Sequence, residues 1–168
     1  MPSLARKLYP LELQQHIRDQ IAEVLGSELE LKMVEIGNEV SFPKHDPRAH
    51  LPATYVQLIE WDPTPGPPLG ACQVEYIFSI AYFRALEPGE SAQENVVQPV
   101  RLLSEFFLRD DYRLPLFAAP GCAVESALPG KAEFGELGKF RFEKVSITVE
   151  GGAFLLTVKT RSTPIEIP

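Results

Sequence analysis

The sequence predicts an α+β domain: an antiparallel or mixed β-sheet with two α-helices packed on one face and a C-terminal β-hairpin. Three stretches predict it. Residues 9–25 carry apolar side chains at helical spacing, residues 72–85 alternate at the strand period, and residues 140–161 alternate on both sides of a glycine pair. A length of 168 residues suits one domain, residues 1–168, with 162–168 as a tail.

Leu13, Ile17, Ile21, Val24 and Leu25 line one side of the first helix, with Gln14, Gln15, His16, Arg18, Asp19 and Glu23 around the rest. Pro10 falls near its first turn and Gly26 just past its end, the usual asymmetry of helix termini. Leu29, Leu31 and Met33 then alternate with charged residues and predict a first strand running toward Ile36. Residues 37–52 form an irregular loop with three prolines, and 54–61, β-branched and aromatic, form the second strand.

DPTPGPPLG, residues 62–70, lacks the donors a ladder needs. It is either a stiff projecting contact arm or a plain long hairpin loop. In the third strand, 72–85, Val74, Tyr76, Phe78, Ile80 and Tyr82 form one apolar face, and the other face turns apolar toward Phe83.

The second helix has two possible starts. Ser91-Ala92-Gln93-Glu94 has the form of a capping box, which leaves Pro99 inside the helix; if Asn95 caps instead, Pro99 breaks no intrahelical bond. We favour a short turn from Ser91 leading into a helix over 96–108, with Val100, Leu103, Phe106 and Phe107 facing the sheet. Residues 112–117 suit a short strand or edge, and 118–138, rich in Gly, Ala and Pro, read as a long connection.

The closing hairpin is read with Gly151-Gly152 as its two-residue loop, because glycine takes positive φ freely. Val149 then faces Phe154, Ile147 faces Leu156 and Val145 faces Val158, so all six share one buried face. Phe140 and Phe142 fall on the polar parity, which calls for a bulge near Glu143 or Lys144, or for rings covering the far side.

Apolar residues make up 45% and charged residues 23%, a globular balance, and the 16 prolines cluster in connections. A net charge of −7 argues against a protein that grips nucleic acid by its phosphates, though not against an acidic wall past which DNA slides. No apolar run reaches the roughly 20 residues of a membrane span, and no apolar stretch follows Arg6 and Lys7 as a secretory signal requires. Cys72 and Cys122 form no CxxC, which favours reduced thiols over a disulfide.

No phosphate loop, GxSxG or HExxH occurs, so no enzyme, cofactor or catalytic residue is expected. His45, Asp46 and His50 have the residue types of a metal site, but their spacing matches no helix face and no ligand motif, and no metal is assigned. Asp110, Asp111, Glu133, Glu136 and Glu143 read as solvated charge.

In layout the chain resembles the tail-terminator (tail-completion) proteins of long-tailed phages and related contractile devices. The resemblance rests on LELQQHIRDQIAEVLG as an N-terminal amphipathic helix, LPATYVQLIEWD as a Pro-led strand, and VEYIFSIAYFRA as a long strand. ENVVQPVRLLSEFFL as a helix and RFEKVSITVEGGAFLLTVKT as a closing hairpin complete it. Pro99 and the length of 118–138 depart from the pattern, and no functional residue carries over singly.

The resemblance implies a homo-oligomer, a hexameric ring on the last ring of the tail tube protein, which stops tube growth and docks to the head–tail connector protein. DNA passes without specific binding. The location implied is the virion neck, reached from the host cytoplasm, with no membrane involved. On this reading Trp61, Pro65, Pro67, Ile77 and Phe83 lie at subunit or partner interfaces, although Ile77 and Phe83 equally suit packing within one subunit. Another neck or baseplate subunit, or a small-molecule-binding α+β domain, are the alternatives.

Overall fold

A computed structural model describes residues 3–37, 47–66, 71–108, 122–142 and 145–162. The elements are α1 (Ser3–Leu25), β1 (Met33–Ile36), a 3-10 turn (Pro47–Ala49), β2 (Ala53–Gly66) and β3 (Ala71–Leu86). A π-helical turn (Gln93–Val97) then leads into α2 (Gln98–Phe106), followed by β4 (Cys122–Pro129), β5 (Glu133–Phe142) and β6 (Val145–Ser162). The six strands form one mixed sheet ordered β1-β2-β3-β6-β4, with β5 also on β6; β1 is parallel to β2 and every other pair is antiparallel. Both helices lie on one face, as an α+β fold requires.

Leu13, Ile17, Ile21 and Leu25 of α1 are buried with Val100, Leu103, Phe106 and Phe107 against Val56, Phe78, Ile80, Tyr82, Phe154, Leu156 and Val158 of the sheet. Val24, assigned to this stripe from sequence, is exposed. Pro10 lies inside α1 rather than in its first turn, because the helix begins at Ser3. The first strand is shorter than its alternation predicts: the chain turns over 26–30, with Glu30 at φ 52°, before β1 begins.

Helical structure does begin after Ser91, whose carbonyl accepts from both the backbone N–H (3.1 Å) and the side-chain amide (2.9 Å) of Asn95. The wide turn over Gln93–Val97 absorbs the conflict posed by Pro99. Regular α-helix starts only at Gln98, which puts Pro99 in its first turn, directly after the π-helical one.

The predicted loop at Gly151-Gly152 is not a turn. Both glycines lie inside β6, an 18-residue strand paired with β3 over residues 148–162, from Cys72↔Ser162 to Leu86↔Thr148. The six residues assigned to one face therefore divide between two, since an odd separation in a continuous strand reverses direction. Phe154, Leu156 and Val158 join the helix-side core. Val149 packs on the far side with Leu51, Ala53, Tyr55 and Ala81, and Ile147, two residues earlier, is buried on that same side.

The glycines permit close approach instead. A Cβ on Gly151 would run into the Phe83 ring and lie 2.5 Å from the Tyr82 carbonyl oxygen; one on Gly152 would lie 2.7 Å from the Phe134 ring and 3.0 Å from Val100 Cγ2. An aromatic ring thus lies over each glycine, from opposite faces.

The C-terminal hairpin is present but is formed by β5 and β6; the proposed bulge near Glu143 or Lys144 lies outside the described residues. Its other arm replaces most of the connection predicted over 118–138. β4 pairs with residues 156–162 of β6 and β5 with 145–153, and Gly130 N–H bonds the Leu155 carbonyl at 2.7 Å between them. Glycine and proline obscured this arm in the sequence, yet an edge strand tolerates both. The sequence 62–66 also ladders, contrary to prediction: Pro63 pairs with Val74 and Pro65 with Cys72. Prolines two apart place their missing donors on one side of a strand, and here that side is an outer edge.

Two variants test this architecture by thermal or denaturant unfolding. Gly151→Val should lose about 1–3 kcal/mol, through overpacking against Phe83 and the Tyr82 backbone. Gly135→Ala, whose Cβ meets nothing within 4 Å, should stay within about 0.5 kcal/mol of wild type. Equal stability of the two would restore the turn assignment.

Candidate interaction surface

Register decides which face each exposed side chain occupies. On the face away from the helices, the sheet has two halves. Near the β1 end, Tyr55, Ala81 and Val149 are buried, and Phe83 lies edge-on to Tyr55 with centroids 6.0 Å apart at 61°. Beyond them, the row Glu60–Ile77–Thr157–Leu128 crosses four strands. Leu155, two residues before Thr157, shares this open half; Leu128 is 55% exposed and Leu155 50%.

Phe83 therefore packs within the subunit, whereas Ile77, half-buried, belongs to an apolar trio with Leu128 and Leu155. Trp61 lies on the opposite, helix-side face as the register partner of Tyr76 and is 57% exposed. Pro65 is part of the β2 ladder, and Pro67 lies outside the described residues. Of the residues named from sequence, Trp61 thus lies on the face opposite Ile77 and Phe83. Sequence reading missed Leu128 and Leu155, because a presumed loop and a presumed hairpin loop hid their alternation.

The outer edge of β2 changes along its length. β1 covers Ala53 to Val56. Where β1 ends, Gln14 on α1, nearly fully buried, reaches over and accepts the Leu58 backbone N–H at 2.7 Å. A bulge follows between Leu58 and Glu60, and from Ile59 onward no described strand pairs with this edge. The opposite edge, β4 and β5, is likewise unpaired among the described residues and carries its own bulges, between Val124 and Ser126 and between Glu136 and Gly138.

A cleft of about 280 Å³ lies at the far end of the sheet, lined by Asp62, Thr64, Gln73, Val74, Glu75, Glu125, Lys159 and Thr160. Lys159 approaches Glu75 at 4.0 Å, and nearby Arg161 pairs with Glu125 at 2.9 Å. These are partly solvated ion pairs across strands, worth little each. The pKa shifts that are resolved run away from neutrality. The Arg18 guanidinium hydrogen-bonded to Asp19 holds its carboxyl below the usual range, burial pushes the Tyr82 phenol up, and Glu105 raises Arg101. None of these three is poised to exchange a proton at neutral pH.

Among the described residues no group of three or more His, Cys, Asp and Glu side chains converges as a metal site; His45 and Asp46 lie outside them. Cys72 and Cys122 pair with Ser162 from opposite sides, which places their Cα atoms about 10 Å apart, too far for a disulfide. No described helix is long and apolar enough to cross a membrane.

Two substitution sets check this geometry. Leu155→Ser should leave stability within about 0.5 kcal/mol, while Leu156→Ser, the next residue but fully buried, should cost about 2–5 kcal/mol. Gln14→Ala should cost about 1–3 kcal/mol by orphaning the Leu58 N–H; unchanged unfolding would show that water serves the edge equally well.

Compared with known proteins, the sequence matches no family model and no curated protein.

Proposed function

We propose that this chain is a structural subunit of the tail-terminator kind, whose copies close into a ring, hexameric by the resemblance, that caps a tail tube. The ring stops tube growth and offers a docking surface to the head–tail connector. DNA passes through its lumen without specific binding, and the assembled protein resides in the virion neck.

One observation carries this reading. The sheet outruns its cover: β6 at 18 residues extends roughly 60 Å at about 3.3 Å per residue, and on the face away from the helices only the half around Tyr55, Ala81 and Val149 is closed, with Leu128 and Leu155 exposed beyond it. A sheet so extended leaves apolar side chains uncovered on its open half and along its edges, where a neighbouring subunit supplies what the monomer lacks. The acidic balance of 23 carboxylates to 16 cations suits a channel wall that DNA must not adhere to. The cleft lined by Asp62, Glu75, Glu125 and Lys159 is polar.

The test is particle mass by light scattering, with negative-stain imaging of the protein mixed with purified tail tubes. Rings in solution, or caps at tube ends, are the expected result. A monomer that leaves tubes bare and retains a co-purified small molecule would replace this reading with that of a binding domain. Rings that ignore tubes would point to another neck or baseplate position.

A further inference from the structure

We propose that the ring joins edge to edge: the open β2 edge at Ile59–Asp62 of one copy lies against the β5 edge at Leu137–Arg141 of the next. This inference rests on the ring reading and assigns its subunit interface.

The two segments lie on opposite edges of one sheet. A head-to-tail contact between unlike edges builds a ring when the rotation from copy to copy closes, and an open filament when it does not, whereas a contact between like edges stops at a dimer. Each segment is free of strand partners on its outer side among the described residues. Each carries exposed apolar groups, Ile59 and Trp61 on one and Leu137 on the other.

Their charges are complementary. Glu60 and Asp62 are exposed with no base between residues 59 and 64; Lys139 and Arg141 are exposed with no acid between 137 and 142. None of these four is engaged in an ion pair among the described residues.

Register adds a direct contact. Trp61 pairs with Tyr76, which pairs with Val158 on the helix-side face; Lys139 and Arg141 pair with Thr148 and Ser146, of the same parity in β6 as Val158. If the sheet continues from copy to copy with its helices on one side, the indole and the two cations share a face, as a cation–π contact requires. Glu60 and Asp62 point to the other face, so they act on those cations through the sheet at about 10 Å, within reach at low salt, and not as direct pairs. Pro63 and Pro65 bound the joint, since neither donates to a ladder.

The sole tryptophan of the chain is then its own reporter. In the full chain, Glu60→Lys with Asp62→Lys makes both edges basic, and Lys139→Glu with Arg141→Glu makes both acidic. Each double variant should self-associate about tenfold or more less tightly than wild type at low salt, and its Trp61 emission should lose the blue shift that accompanies assembly. Mixing the two variants should restore association in alternating rings, and combining all four changes in one chain should restore it alone. Because all four positions are exposed, circular dichroism should match wild type throughout. Wild-type rings with undiminished assembly of both double variants would overturn the edge assignment and leave the ring intact. A wild type that neither forms rings nor caps tubes would remove the ring reading and this joint with it.

Discussion

Burial of one strand on both its faces is the constraint from which the rest of the architecture follows. β6 has β3 on one side and β4 and β5 on the other, and its side chains enter two different apolar clusters. Its first half, through Ile147 and Val149, sends its large groups away from the helices; its second half, through Phe154, Leu156 and Val158, sends them toward the helices. The change of phase falls on Gly151 and Gly152. Both are buried, and neither has a side chain to compete with the rings of Phe83 and Phe134 that approach from either side. A strand with a continuous bulky sequence there would force one ring outward and uncover the cluster beneath it.

That arrangement also explains why the sheet is unequal along its length. The far face is closed only where Tyr55, Ala81, Phe83 and Val149 meet, next to the short parallel strand β1. Further along, β1 has ended, the outer edge of β2 is stitched to α1 through Gln14, and beyond that stitch the strands continue without a described layer over Leu128 and Leu155. Uncovered apolar area of this sort costs solubility in a monomer unless another surface covers it. The bulges on both edges twist them and limit indiscriminate pairing, so an edge that joins must do so with a matched partner.

The sequence revealed the class of fold and most of the helix-side core. The α1 stripe Leu13–Ile17–Ile21, the α2 stripe Val100–Leu103–Phe106 and the alternation in β3 each repeat over several periods, and each is buried as the period dictates. What misled was the ambiguity of a single pattern. Apolar residues at 145, 147, 149 and at 154, 156, 158 are written identically by a hairpin with one covered face and by a straight strand with two. The deciding signal was present elsewhere: the far face of β3 turns apolar at Ala81, Phe83 and Ala85, the register partners of Ala153, Gly151 and Val149. The β4–β5 arm was invisible for a different reason, since edge strands need fewer β-branched residues and tolerate Gly130, Gly135 and Pro129. The face that each residue occupies was not legible, because face is a property of register, and the bulge at Leu58/Glu60 moves Trp61 to the side opposite Glu60 and Ile77.

The bulge also bears on how a subunit of the proposed ring would discriminate among neighbours. Without it, parity would place Trp61 on the same face as Tyr55, away from the helices, and Glu60 would lie on the helix side with Leu58. One inserted residue therefore separates the indole from the open apolar trio and sets it on the face where Lys139 and Arg141 project from the other edge. Apolar area alone would let any two such sheets adhere. An aromatic and two acids at one edge, matched to two cations at the other, favours unlike edges over like ones, because like edges would oppose charges of the same sign. The same residue that defeats a simple alternating reading of β2 thus gives the sheet a direction, and a directed joint is the physical requirement for a closed ring in place of a stacked pair.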